Sequence, residues 1–218
     1  MSILFKDTFT DAGAPLLLNN HLPEFGQPWV YNFTNFPTVN AAGILEAPLS
    51  IAGNYTVYSA QSIANLLGAT AFKITTDFLV PILATGVQAI SELNFNFEGA
   101  SLDITLTITI DSGSVGLAVL ATSGEVSVAT TAGFLFGALN TIEISVSANQ
   151  LLLSLNGAAP IPLNVSVAYP STGTFTISVY LSNIGVAANV PSFSNISIAD
   201  GVTTTSNFWT NLVNTTQT

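Results

Sequence analysis

The sequence contains no cysteine and very few charged residues. Without cysteine there can be no disulfide, no thiolate metal site and no cysteine nucleophile. The sequence therefore does not indicate whether the protein works in an oxidising or a reducing compartment. Charged residues make up 6% of the sequence, whereas an average soluble protein has about 25%. Threonine, serine and asparagine must therefore provide most of the polar surface, and a surface of this kind favours self-association.

Basic residues are nearly absent. Lys6 and Lys73 are the only two, against twelve acidic residues, and the net charge is −10. Two cations cannot neutralise a run of phosphates or hold an anionic membrane surface, so we expect neither nucleic acid nor membrane as a partner. The chain begins without the long apolar segment of a signal peptide, and the apolar run 78–90 is too interrupted to span a membrane. We therefore expect a chain made in the cytoplasm.

The clearest local pattern lies in the stretch 140–157. Ile142 and Ile144 fall on one face of an extended strand, and polar residues fall between them. After a short turn, leucines alternate in the same way until the dipeptide Asn156-Gly157 ends the pattern. This stretch is predicted to form a β-hairpin.

The same alternation continues through most of the chain. Over 72–80, 92–98 and 102–110 it predicts three long strands, joined by tight turns at Gly86 and Gly99. Roughly a dozen such strands at regular spacing are typical of an all-β fold, a two-sheet antiparallel β-sandwich. No segment carries the apolar stripe of a capped helix.

The helix content is therefore predicted to be very low. A short helical turn is expected only at 61–68.

The last residues of the chain differ from the rest. Residues 202–218 have no charge and no clear alternation, yet they contain four large apolar side chains: Phe208, Trp209, Leu212 and Val213. Such side chains are costly to leave in water, so we expect this segment to dock, either on its own sandwich or on a neighbouring subunit. The predicted organisation is a β-sandwich over 1–201 followed by a C-terminal arm over 202–218.

Several segments together resemble a known family. The hairpin 141–157, the strand-like segment 174–181 and the closing segment 193–201 are similar to the concanavalin A-like, or laminin-G-like, jelly roll. The opening Phe5-Lys-Asp-Thr-Phe-Thr-Asp11, followed by His21-Leu-Pro and Gly26-Gln-Pro-Trp29, resembles the start of such domains in bacteriophage virion and tail proteins. The resemblance implies that the first and last strands lie side by side. The family includes lectins, carbohydrate-binding modules, glycoside hydrolases and virion structural domains, so it does not by itself select a function.

A glycan-binding site would need an aromatic platform beside amide and carboxylate groups on one face. The alternative is an ordinary polar sheet face. The candidate residues are Glu92, Asn94, Asn96 and Glu98, with Tyr180, Tyr55 and Tyr58 as the stacking aromatics.

An enzyme of this fold would most readily be a glycosidase, which needs two carboxylates about 5 to 10 Å apart. Glu92 and Glu98 share a strand face but are about 20 Å apart, while either one paired with Asp103 across strands remains open. The compact Glu-x-Asp-x-x-Glu motif of the hydrolases is absent. His21 is the only histidine, and we expect it to pack beside Pro23 and Trp29 rather than to act in a triad. No catalytic residue is predicted.

Calcium is the one ion for which the chain offers ligands in number, since only oxygen ligands are plentiful. Asp7, Asp11 and Asp200 would converge if the terminal strands pair, and Asp111 could form a loop site with the serines that follow it. Aspartates that cap turns are the commoner explanation of such positions. We therefore expect no cofactor, with calcium as the candidate to test.

These features favour a non-enzymatic structural protein of a virion, such as a capsid decoration, fibre or spike component. We expect it to be made in the host cytoplasm, to be extracellular after release of the virion, and to act by homo-oligomerisation, as a trimer, and by contacts with other virion proteins. The alternative is a lectin-like carbohydrate-binding module for attachment to host or surface glycans. A glycoside hydrolase is the third hypothesis.

Overall fold

The computed structural model describes residues 3–10, 16–31, 37–46, 54–62, 71–80, 88–97, 102–111, 114–121, 124–129, 133–147, 150–163, 174–184 and 192–200. These residues form sixteen strands and a 3₁₀ turn at Leu18–Asn20. The strands are β1 Ile3–Asp7, β2 Leu16–Leu17, β3 Val30–Tyr31, β4 Thr38–Val39, β5 Leu45–Glu46, β6 Asn54–Ser62, β7 Ala71–Val80, β8 Gln88–Phe97, β9 Leu102–Asp111, β10 Ser114–Ala121, β11 Gly124–Ala129, β12 Ala138–Ser147, β13 Gln150–Leu155, β14 Ile161–Leu163, β15 Thr174–Ile184 and β16 Ser192–Asp200. In this part of the chain no helix is long and apolar enough to cross a membrane.

The strands form two antiparallel sheets, as the sequence predicts. The nine-stranded sheet has the order β14-β13-β12-β7-β16-β5-β4-β2, and β1 also pairs with β16. The seven-stranded sheet has the order β11-β10-β9-β8-β15-β6-β3. Phe5 in β1 lies opposite Ile198 in β16, so the first and last strands are neighbours. The two-sheet sandwich and the adjacency of its terminal strands are both confirmed.

The predicted tight turn at Gly86 needs correction, and most of the helical turn predicted at 61–68 lies outside the described residues. The strands on either side of Gly86 do not pair with each other: β7 pairs with β12 and β16, whereas β8 pairs with β9 and β15. The connection at 81–87 therefore joins the two sheets. The sequence pattern did not predict this, because alternation defines a strand and its faces but not its partner strand. The strands on either side of Gly99 do pair, with Phe97 opposite Leu102, while Gly99 itself lies outside the described residues. Residues 61–62 of the expected helical turn belong to β6, and the rest lies outside the described residues.

The core lies between the two sheets. One row of facing residues crosses the nine-stranded sheet with at most 2% of any side chain exposed: Phe5, Ile198, Ile74, Ile144 and Leu153. The seven-stranded sheet contributes Leu93, Leu106, Ile108 and Ile177, which are fully buried. Burying each large aliphatic or aromatic side chain contributes about 1.5 to 3 kcal/mol, so this period-2 pattern is the main stabilising feature of the fold.

Asn140 and Asn156 bind each other at the open end of the predicted hairpin, which is formed by β12 and β13. The Asn140 side chain is fully buried, and its Oδ1 accepts hydrogen bonds from the Leu135 amide (2.8 Å) and the Asn156 side chain (2.9 Å). Its Nδ2 donates to the carbonyls of Leu135 (2.9 Å) and Ala138 (3.1 Å). Asn156 adopts φ +50°, a conformation that asparagine tolerates better than most residues, and its Oδ1 accepts from the Thr141 amide (2.8 Å). The full hydrogen-bonding capacity of the Asn140 amide is used.

Replacing Asn140 by alanine should destabilise the protein strongly. The substitution removes the four hydrogen bonds of a fully buried side-chain amide and leaves the part-buried amide and carbonyl of Leu135 without this partner, so we expect the free energy of unfolding to fall by about 3 kcal/mol. Urea denaturation followed by circular dichroism measures the change. Ser145→Ala, at a half-buried outward position of the same strand, is the control and should change it by less than about 0.5 kcal/mol. Equal midpoints for the two variants would contradict this role of Asn140.

Candidate functional site

The predicted glycan-binding positions lie on neighbouring strands of the seven-stranded sheet. In the ladder between β8 and β15, Glu92 lies opposite Tyr180 and Asn94 opposite Ser178. Leu93 and Ile177 are buried and Asn94 is half-buried. Because strand positions alternate between faces, positions 92, 94, 96, 178 and 180 share the face turned away from the core. The fold thus brings four of the five predicted positions together, while Glu98 lies outside the described residues.

Strand β6 adds a second aromatic position to this face. Tyr58 lies opposite Ser178, and Thr56 lies opposite Tyr180. Positions 58 and 180 are therefore diagonal neighbours on adjacent strands, about 7 to 8 Å apart. We call the positions Tyr58, Glu92, Asn94, Ser178 and Tyr180 the polar platform.

Tyr55, which the sequence also suggested as a stacking residue, does not belong to the platform. It lies opposite Leu181, three residues before Tyr58. An odd number of positions along a strand reverses the face, so position 55 is on the core face. Position 55 is therefore not counted among the platform positions.

The platform does not contain a close pair of carboxylate positions. Asp103 lies opposite Asn96 in the β8–β9 ladder, whereas Glu92 lies opposite Thr107. Positions 92 and 96 are separated by about 13 Å along the strand, at about 3.3 Å per residue. That distance exceeds the roughly 5 to 10 Å between the two carboxylates of a glycosidase. Glu92 and Asp103 therefore do not form such a pair, and a pair with Glu98 lies outside the described residues.

Asp7, predicted as a metal ligand, binds protein groups instead. Its Oδ1 accepts a hydrogen bond from the Phe9 amide (2.7 Å) and lies 2.8 Å from His21 Nε2, while its Oδ2 accepts from Trp29 Nε1 (2.5 Å). Asp7, His21 and Trp29 are all buried. Phe5 and Phe9 enclose the group, with their ring centroids 5.7 Å and 6.0 Å from that of Trp29. A cation at Asp7 would have to displace these donors.

Asp200 does not converge on Asp7. Because β1 and β16 are antiparallel, Asp7 lies opposite Ile196 and Ile3 opposite Ala199. Asp200 is therefore about 13 Å further along the strand than the partner of Asp7. Asp11 lies outside the described residues, and Asp111 pairs with Ser114 at the start of the β9–β10 hairpin. No group of three or more potential metal ligands occurs in the described part of the chain, and a calcium site stays a prediction.

His21 is a buried structural residue, as its sequence context suggests. Its ring lies 5.8 Å from that of Phe9, and its Nε2 donates to Asp7, because a carboxylate oxygen can only accept from it. The sequence did not reveal this partner, because fourteen positions and a non-repetitive segment separate the two residues. The signal available was the coincidence of the single histidine, an early aspartate and a nearby tryptophan.

Glu24 binds the N-terminal segment at Thr8, next to Asp7, on the solvent-exposed side of that segment. One carboxylate oxygen accepts from the Thr8 amide (2.9 Å), and the other accepts from the Thr8 hydroxyl. Lys6 and Phe25 exchange two backbone hydrogen bonds beside it, of 2.8 and 3.0 Å. Partial burial alone would raise the pKa of Glu24, but the Thr8 hydrogen bonds, its own backbone amide and the charge of Lys6 outweigh it and lower the pKa.

Comparison with known proteins supports the fold of this chain but does not assign the chain to a family. No family model and no curated protein matches the sequence. Among solved structures, the chain is similar to the CBM2 module of an evolved Dit protein of Lactobacillus casei BL23 phage J-1, with 16% identity, a TM-score of 0.58, and coverage of 90% of this chain and 94% of that one. It is also similar to the carbohydrate recognition domain of Emp46p in its potassium-bound form (11% identity, TM-score 0.56, 80% and 89% covered). A glycosyl hydrolase family protein of Mycobacterium fortuitum gives 10% identity and a TM-score of 0.59, with 91% and 100% covered. The class that the topology and these likenesses define is the two-sheet antiparallel jelly roll, concanavalin A-like in architecture.

The Glu24 interaction predicts a pH dependence of stability. The pKa of Glu24 is lower in the folded protein than in the unfolded chain, where it is about 4.3. Its contribution is therefore present above that value and is lost as the pH falls through the folded-state pKa. The loss of unfolding free energy between pH 5.5 and pH 3 should be smaller in Glu24→Gln and in Thr8→Val than in the unmodified chain. Urea midpoints measured across this range test it, and an unchanged slope in both variants would refute it.

The Asp7 cluster predicts a large effect of a small change at Trp29. Trp29→Phe removes the donor to Asp7 Oδ2 while keeping an aromatic ring, and we expect the unfolding free energy to fall by about 3 kcal/mol. The neighbouring substitution Val30→Ala, at an exposed position, serves as the control and should cost less than about 0.5 kcal/mol. Denaturation followed by circular dichroism measures both, and similar stabilities would show that the hydrogen bond contributes little.

Proposed function

We propose that this chain is a non-enzymatic carbohydrate-binding β-sandwich, with the polar platform as its binding face. The observation that carries the proposal is the register of three adjacent strands, which aligns Glu92 with Tyr180 and Asn94 with Ser178, and places Tyr58 beside them. Binding sites for small polar ligands combine apolar or aromatic surface with a few placed polar groups, and these positions have that composition.

The platform supplies the two kinds of contact that a sugar needs. A tyrosine ring can cover the apolar face of a pyranose, and its hydroxyl keeps hydrogen-bonding capacity. The Asn94 amide can donate and accept, and the Glu92 carboxylate can accept from hydroxyl groups. With a net charge of −10, the chain repels anionic ligands. The proposed ligand class is therefore uncharged glycans rather than sialylated or sulfated ones.

The absence of catalysis is part of the proposal. The roughly 13 Å offset between Glu92 and the partner position of Asp103 leaves no acid–base pair among the described residues of the platform. The likeness to a glycosyl hydrolase family protein concerns the fold, which hosts both binding and hydrolysis.

A virion setting is the second part of the proposed function. It is supported by the likeness to the CBM2 module of an evolved phage Dit protein. In this setting the chain is a homo-oligomeric component of the particle, and its glycan-binding face serves attachment to a surface. Light scattering of the purified chain tests the assembly, and a monomer at high concentration would count against it.

Glycan binding should depend on the polar platform. On an array of neutral and anionic glycans, we expect the chain to bind neutral ones, and Tyr180→Ala and Asn94→Ala each to weaken binding by about tenfold or more, the loss of one good stacking or hydrogen-bonding contact. Titration calorimetry with the best glycan measures the change. Reducing ends should not accumulate during incubation with it.

The controls are Thr75→Ala and Ser145→Ala, which remove polar groups from the outward face of the other sheet. They should leave the affinity unchanged, and thermal melting should show that all four variants are folded. The absence of any glycan hit, or equal losses in the control variants, would remove the platform as a binding site.

A further inference from the structure

The sequence contains one Asn-Gly dipeptide, Asn156-Gly157, directly after β13. Asparagine is a chemically labile residue, and a following glycine makes it most prone to deamidation, because glycine has no side chain to shield its backbone nitrogen. Both residues are exposed, so water reaches them. The dipeptide therefore has the sequence and the solvent access of a modification site.

Deamidation begins when the backbone nitrogen of Gly157 attacks the side-chain carbonyl carbon of Asn156. The new bond between nitrogen and carbon closes a succinimide ring. The bond from that carbon to Nδ2 breaks, and Nδ2 leaves as ammonia with the proton of the backbone nitrogen. Water then opens the ring at either carbonyl and leaves aspartate or isoaspartate. Solvent water is the only co-reactant, and the product carries a negative charge that asparagine lacks.

In the folded chain the side-chain amide of Asn156 is held at both of its polar atoms. Its Nδ2 donates to the Gly133 carbonyl (2.7 Å) and to Asn140 Oδ1 (2.9 Å), and its Oδ1 accepts from the Thr141 amide (2.8 Å). Nδ2 is the nitrogen that leaves, so both bonds that it donates must break. The carbon must also move to bonding distance of the Gly157 nitrogen, while these three hydrogen bonds fix its position. The closed hairpin end therefore opposes the reaction.

The product does not fit back into the closed hairpin end. Deamidation replaces the donor Nδ2 by a carboxylate oxygen, which would face two acceptors, the Gly133 carbonyl and Asn140 Oδ1. Asn140 cannot turn its amide to donate instead, because its Oδ1 accepts from the Leu135 amide and its Nδ2 donates to the carbonyls of Leu135 and Ala138. Closure would therefore lose two hydrogen bonds and bring like partial charges together.

We propose that Asn156 is a deamidation site controlled by the opening of the hairpin end. The site reacts slowly while its contacts to Gly133, Asn140 and Thr141 are made, and it reacts from the fraction of molecules in which they are broken. Once the aspartate or isoaspartate has formed, the hairpin end stays open. The modification is independent of the proposed glycan binding, because β12 and β13 belong to the nine-stranded sheet and the polar platform to the other.

Peptide mapping by mass spectrometry measures deamidation at Asn156 during incubation at mildly alkaline pH. We expect the folded chain to react at least about tenfold more slowly than the same chain in urea, since only the opened fraction reacts. Asn140→Ala removes one partner of the amide and should raise the rate in the folded chain by about tenfold, whereas the control Ser145→Ala should leave it unchanged. Equal rates in the folded and the unfolded chain would overturn the proposal, and so would an unchanged rate in Asn140→Ala.

Gly157→Ala tests the chemistry of the reaction separately from the fold. The added methyl group hinders attack by the backbone nitrogen, so in urea the variant should deamidate at Asn156 more slowly than the unmodified chain. The comparison is made in urea because the φ angle of +72° favours glycine at this position in the folded state. An equal rate in the two unfolded chains would exclude the succinimide route and overturn the proposal.

Asn156→Asp reproduces the charge of the product and tests whether the hairpin end can close again. Its control is Ala158→Asp, which places the same charge two positions further along the exposed turn. We expect the melting temperature of Asn156→Asp to be at least about 4 °C below that of the control. Equal melting temperatures would show that the carboxylate fits the closed end, and the proposed lock would be wrong.

Discussion

The hydrogen bond between Asp7 and Trp29 joins the two sheets. Asp7 ends β1, which lies in the nine-stranded sheet through its pairing with β16, and Trp29 immediately precedes β3, which lies in the seven-stranded sheet. A buried carboxylate is costly, and here the Phe9 amide, His21 and Trp29 all donate to it. Val30, next to Trp29, lies opposite Tyr58 of the polar platform. The position of one edge of the platform therefore depends on a contact made in the other sheet.

On the outward face of the nine-stranded sheet, polar side chains bind one another. On the nine-stranded sheet, Asp77 accepts hydrogen bonds from Thr141 (2.5 Å) and Asn195 (3.1 Å), and Lys73 forms an ion pair with Glu143. These groups bind one another across three adjacent strands, so a ligand would have to compete with contacts already made. The seven-stranded sheet brings the aromatic positions 58 and 180 onto adjacent strands, which makes it the better candidate for binding.

Alternation in the sequence predicts the strands and the two-sheet class, because period-2 burial is a local property. It also predicts that Glu92 and Asn94 share a face, since they are two positions apart on one strand. Neighbour relations depend on the partner strand and are not local: the connection near Gly86 changes sheets, and antiparallel pairing moves Asp200 away from Asp7. The partners of Asp7 come from an irregular segment without periodicity, which explains why its environment could not be predicted.

In the proposed function, assembly would strengthen glycan binding. A platform on the open face of a sheet buries less of a sugar than a deep pocket does, so the affinity of one site is expected to be modest. Several copies held in one particle convert weak single contacts into strong attachment, because each further contact forms at a high effective concentration. Display of several copies on one particle would thus allow a shallow platform to support the proposed attachment.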